Sequence, residues 1–173
     1  LVRAEHGLDD GRPVALKIQR EVPEDRLALQ LAPAPQQRNE GLAVDGGTLY
    51  LGFRGPVLRS NYVPIMTVEF DHREDYKLLF VPLDGLGIRD LDRVDDGFLI
   101  VAGPVGDGAF PFALYHWNGE DCLPGKGNPG GAVEKIADLP RPDGAKAEGI
   151  AALPPDGDGD YRILVLYDSA DNG

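Results

Sequence analysis

Asn39-Glu40-Gly41-Leu42-Ala43-Val44-Asp45-Gly46-Gly47-Thr48-Leu49-Tyr50-Leu51-Gly52 runs from a charged residue through a short apolar strand and an Asp/Gly turn into a second apolar strand. The same order returns in Arg89-Asp90-Leu91-Asp92-Arg93-Val94-Asp95-Asp96-Gly97-Phe98-Leu99-Ile100-Val101. It returns again in Ala147-Glu148-Gly149-Ile150-Ala151-Ala152-Leu153, an Asp/Gly-rich turn and Tyr161-Arg162-Ile163-Leu164-Val165-Leu166. Aligned on Leu42, Leu91 and Ile150, the units are 49 and 59 residues apart. A supersecondary unit recurring at about 50 residues is the mark of a β-propeller blade. Gly-Pro also closes the second strand in two units, at Gly55-Pro56 and Gly103-Pro104. That repetition favours a propeller over a generic antiparallel sandwich.

Working outward, Pro64 to Phe70 and Tyr76 to Leu83 supply the third and fourth strands of the first complete blade. Phe112 to Trp117 and Val133 to Leu139 do so for the second, and Ile150 to Leu153 with Tyr161 to Tyr167 open a third. Before Pro33, Val14 to Arg20 and Leu27 to Leu31 alternate apolar and polar residues as half-buried strands do. The expected fold is all-β: an open arc of about three four-stranded antiparallel meanders. Residues 1–173 are expected to form a single partial propeller domain, truncated at both ends, with innermost strands Leu42 to Val44, Leu91 to Val94 and Ile150 to Leu153. The 23 Gly and 15 Pro suit many short strands joined by tight turns.

Seventeen basic against 29 acidic residues give a formal net charge of −12, a field that repels phosphate backbones and disfavours nucleic acid as a partner. No window reaches the apolar length of a membrane helix, so no membrane partner is expected. The single Cys122 excludes an intrachain disulfide and a thiolate metal cluster. It leaves the compartment open, with the cytoplasm favoured over an exported location, and the oligomeric state is open as well.

Several stretches resemble an uncharacterised bacterial family, the domain of unknown function 3616. They are Glu40 to Gly47 with Gly52-Phe53-Arg54-Gly55-Pro56, the run from Gly87 to Pro104, and Leu114-Tyr115-His116-Trp117-Asn118-Gly119. Ala147-Glu148-Gly149-Ile150-Ala151 and Leu166-Tyr167-Asp168-Ser169 fit too, so the likeness covers Asn39 to Ser169. The resemblance implies the later blades of that family's propeller. It implies no activity and carries over no catalytic residue.

Connections in an antiparallel blade alternate between the two faces of the ring. Glu40, Arg89, Asp90 and Glu148 lie just before innermost strands, and Arg54 and Asp168 follow second strands. All six are therefore expected near the channel mouth on one face, as a candidate site for a small polar or ionic ligand or a protein partner. The competing reading is that Glu40, Arg54, Arg89 and Glu148 form ion pairs that position blades without doing chemistry.

Other motifs are weaker. Asp156-Gly157-Asp158-Gly159-Asp160 has the carboxylate spacing of a calcium loop, but Tyr161 replaces the glycine its turn requires, so it reads as a solvated hairpin turn on the opposite face. Gly125-Lys126-Gly127-Asn128-Pro129-Gly130 has the Gly-x-Gly-x-x-Gly spacing without a strand-to-helix context, and dinucleotide binding is rejected. His6, His72 and His116 show no metal spacing, and Ser60 and Ser169 sit in no nucleophile motif. The expected function is a non-catalytic binding scaffold without a cofactor. The alternative is a calcium-assisted hydrolase of phosphoesterase or lactonase type, in which Glu40, Asp90, Glu148 and Asp168 would hold the Ca2+ that Arg54 and Arg89 oppose.

Overall fold

The computed structural model describes residues 39–106, 110–125, 130–154 and 161–168. The strands expected at 14–20 and 27–31, and the Asp156–Asp160 turn, lie outside the described residues. Among the described residues, ten strands account for nearly all regular structure, joined by two single-turn 3-10 helices at Arg59–Asn61 and Pro142–Gly144. Strands β1 (Asn39–Asp45), β2 (Thr48–Phe53), β3 (Tyr62–Glu69) and β4 (Tyr76–Pro82) form the first antiparallel sheet in sequential order. Strands β5 (Gly87–Val94), β6 (Gly97–Gly103), β7 (Phe112–Trp117) and β8 (Val133–Leu139) form the second in the same way. Strands β9 (Lys146–Leu153) and β10 (Arg162–Asp168) pair as a third, two-stranded sheet. The first strands of successive sheets stand side by side, β1 against β5 and β5 against β9. The result is an open, unclosed arc of a β-propeller. Its third blade contributes two strands among the described residues, as its sequence suggests.

Burial on both faces explains why β6 reads as an uninterrupted apolar run. Phe98, Ile100 and Ala102 cluster with Val63, Ile65 and Val81 of the first sheet and with Leu83 just beyond it. Leu99 and Val101 join Phe112, Leu114, Ala147 and Ile150 in a second cluster toward the third sheet. Tyr50, Phe98 and Trp117 stack at ring-centroid distances of 4.5 to 6.2 Å between the first two blades. The inner strands approach so closely that Gly41 and Gly52, partners in register, have no room for a side chain. A Cβ at Gly52 would lie 2.5 Å from Ile88 Cγ2.

The inner strands begin earlier than the sequence suggests. Charged residues expected just outside them are instead inside, because each inner strand carries a β-bulge there. The register of β1 on β2 steps from Asn39↔Phe53 to Gly41↔Gly52, leaving Glu40 as the extra residue. On β5 the step from Ile88↔Ala102 to Asp90↔Val101 leaves Arg89. On β9 the step between Tyr167↔Ala147 and Leu166↔Gly149 leaves Glu148. Bulges bend a strand and re-aim one side chain. Here three equivalent bulges re-aim three charges.

Candidate functional site

Arg89 is the centre of this arrangement. Its side chain is 1 % exposed, and its Nη1 donates to Glu148 Oε1 at 2.6 Å and to Glu40 Oε2 at 3.5 Å. Nη2 donates to the Pro104 carbonyl at 2.5 Å, and the guanidinium lies 5.4 Å from the centre of the Phe112 ring. Arg54 completes the set. Its Nη1 donates to Glu40 Oε1 at 3.1 Å and its Nε to the same Pro104 carbonyl at 3.3 Å. One buried cation thus ties a carboxylate of the first blade to a carboxylate of the third, across the second.

Burial holds the Arg89 guanidinium below its ordinary pKa, Glu148 and Glu40 pull it back up, and neighbouring Arg54 adds to the lowering. Arg89 Nε is buried with no hydrogen-bond partner among the described residues. Two carboxylates and one carbonyl offset part of the desolvation of a full charge.

Four of the six residues singled out from sequence therefore meet: Glu40, Arg54, Arg89 and Glu148. Asp90 does not join them. One residue past the bulge, its Oδ1 accepts the Leu91 N–H and its Oδ2 accepts the Ile150 N–H, each at 2.9 Å, with the Leu42 N–H as a third donor. It stitches β1, β5 and β9 through backbone amides. Burial raises its carboxyl above the ordinary range, and the three donors oppose that rise. Asp168 is exposed at the end of β10, in register with Lys146, and so at the same end of the third blade as Glu148. The hairpin turns of the three blades lie at the other end of these strands, so Arg54 and Asp168 are not on the face of the Asp95-Asp96-Gly97 turn.

Three participants are not evident from sequence. The Pro104 carbonyl is a backbone group, and its only trace is the repeated Gly-Pro that closes second strands. Arg141 places its guanidinium 5.4 Å from the Phe112 ring that Arg89 also approaches. Asp92 repeats the role of Asp90 two residues on, its Oδ2 accepting the Ala152 N–H at 2.7 Å. The Asp-x-Asp spacing on one inner strand was the available signal for that role.

Among the described residues, no group of three or more His, Cys, Asp or Glu is disposed to hold a metal ion. No helix among them is long and apolar enough to cross a membrane. Cys122, whose Sγ donates to the Glu120 carbonyl at 3.7 Å, is not primed as a nucleophile. Burial, with a smaller contribution from Asp121, pushes its thiol up to about 11. At pH 8 we expect iodoacetamide to modify Cys122 about a hundredfold more slowly than an unperturbed exposed thiol. Mass-spectrometric alkylation rates on native and urea-unfolded protein check this, and equal rates would refute the raised value.

Repeated antiparallel meanders with inner strands side by side define an open arc consistent with a partial β-propeller, with charges gathered at one end of its inner strands. The chain belongs to the DUF3616 family, described as a protein of unknown function, whose model matches residues 38–173. No curated protein and no solved structure matches the chain.

Proposed function

We propose that this propeller is a non-catalytic scaffold whose mouth binds a small cationic ligand such as an amine. The observation that carries the reading is the layering of charge at the mouth. The arginines are set back, with side chains 1 % and 12 % exposed for Arg89 and Arg54. Their carboxylate partners lie further out, at 21 % for Glu40 and 31 % for Glu148. The mouth therefore offers acceptors to solvent while the buried cations hold those acceptors in place. Asp168 adds a further carboxylate at the same end.

Calcium-assisted hydrolysis fits this geometry less well. A hard cation needs several converging oxygens and an open position for water. The Arg89 guanidinium already occupies the space between Glu40 and Glu148. Asp90, a further carboxylate of that scheme, is engaged with backbone N–H groups.

One set of experiments separates the two readings. Calorimetric titration with putrescine is expected to show saturable binding that acetate and phosphate do not reproduce and that Glu148→Gln weakens. Phosphomonoester, lactone and aryl-ester substrates are expected to show no turnover with or without calcium. Calcium-dependent turnover that disappears in a still-folded Glu40→Ala, Glu148→Ala variant would overturn the proposal.

A further inference from the structure

Leu42, Leu91 and Ile150 hold the same place in their three blades, and two of them face the preceding blade. Leu91 pairs in register with Ile100 and Ile100 with Tyr115, and this row packs against the first blade. Ile150 pairs with Val165, and both pack into the cluster shared with the second blade. Leu42 pairs with Leu51 in the same way, and the row continues across all four strands through Met66 and Leu78. A second row, Val44, Leu49, Val68 and Tyr76, runs beside it in register. Neither row belongs to a core cluster of the described residues. Leu42 is 58 % exposed where Leu91 is 2 %, and Val44, Tyr76 and Leu78 are exposed with it.

The third blade carries the converse face. In the first blade Ala43 pairs with Tyr50, and this pair packs forward onto the second blade. The aligned pair of the third blade is Ala151 with Leu164, and Leu166 lies beside it, paired with Gly149. Leu164 and Leu166 are both exposed. The described residues thus present two unmatched halves of one repeating interface. One is a face that suits a preceding blade, and the other a face that suits a following one.

A contiguous exposed apolar face of this kind marks a contact with another protein surface. The occupant follows from the repeat. What packs on the Leu91 row is an inner-strand alanine paired with a larger residue on the next strand, and Ala151 with Leu164 repeats that pair. They do not meet the Leu42 row of their own chain, because the second blade stands between the first and the third. A second copy can bring them there. Reciprocal contact, each first blade on the other chain's third, satisfies a two-fold axis. Two copies bring six blades, within the four to eight of closed propellers. We infer that two copies of this chain associate head to tail through these faces, independently of what the mouth binds. The net charge of −12 on each copy opposes that association, and salt screens the repulsion.

Sedimentation velocity across a range of protein concentrations tests the inference. A reversible two-chain species is expected, and it should be tighter in high salt than in low. Leu42→Glu and Leu164→Lys each alter both contacts of the pair, and each is expected to weaken association by about tenfold or more. Mixed together, these variants are expected to pair with each other more tightly than either pairs with itself. The mixed pair keeps one unaltered contact and sets glutamate against lysine in the other. Ile136→Glu, on the outermost strand of the second blade, is expected to change nothing. If Leu42→Glu lacks a cooperative melting transition, Leu78→Glu in the same row takes its place. A monomer at every concentration overturns the inference, whether or not another part of the chain covers the Leu42 row. So does an assembly of more than two chains, or a dimer that ignores the still-folded variants. A dimer that responds to Leu42→Glu alone also overturns it, since that result sets two first blades against each other.

Discussion

Arg89→Met is expected to destabilise the protein by about 3–5 kcal/mol, the usual effect of removing one partner from a buried ionic network. Methionine fills much of the volume and keeps contact with Phe112, so the loss reports charge and hydrogen bonding more than packing. What remains is adverse: Glu40 and Glu148 lose the cation that joined them, and the Pro104 carbonyl loses its Nη2 donor while Arg54 Nε stays. Arg89→Lys does not repair this, because one ammonium cannot reproduce a planar fork that reaches two carboxylates and a carbonyl. Adding Glu40→Gln and Glu148→Gln to Arg89→Met is expected to recover part of the lost stability by removing the uncompensated anions. Urea titrations of the four proteins check the series, and an Arg89→Met chain as stable as the parent would refute the bracing role.

Gly87→Ala is the second large effect. A Cβ at Gly87 would stand 1.8 Å from the Arg54 carbonyl oxygen and 2.7 Å from its carbonyl carbon. Both are backbone atoms, so no rotamer change relieves the overlap. The strand must shift away from the segment that carries Arg54. Overpacking of this kind costs about 3 kcal/mol, at the upper end of what inserted methyl groups cause. The melting temperature is expected to fall by about 10 °C. Gly106→Ala is the matched control: its added methyl meets nothing within 4 Å, and the expected change is within about 0.5 kcal/mol. Since Arg89 moves with β5, Gly87→Ala should also disturb the pairing of Arg89 with Glu40 in whatever fraction stays folded. Equal melting temperatures for the two alanine variants would contradict the close approach.

The blade architecture was legible in the sequence because strand period and turn chemistry are local properties. Asp45-Gly46-Gly47 and Asp95-Asp96-Gly97 mark hairpins, and the apolar runs beside them end close to where the strands do. Phe112–Trp117 and Val133–Leu139 were read with their observed bounds. The equivalence of Glu40, Arg89 and Glu148 was also visible, each standing two residues before its aligned Leu42, Leu91 or Ile150.

What sequence could not supply was the bulge. Charged residues next to a strand read as its end, so β1, β5 and β9 were started late. For the same reason Asp90 was grouped with Arg89, since neighbours in sequence were taken as neighbours at the mouth. A bulge followed by one residue of ordinary pairing sends those two side chains to different tasks, one into the ion cluster and one onto backbone amides. The difference is a register shift fixed by the partner strand, and partner strands are not written locally.

The buried apolar positions of the inner strands, such as Ala43, Ile88, Leu91 and Ile150, are set by the sheet each packs against. Glu40, Arg89 and Glu148 stand outside that packing, yet each answers to the other two. In the terms of descent, they form one compound character. An acid placed at position 89 is expected to be tolerated only where positions 40 and 148 are made basic in step.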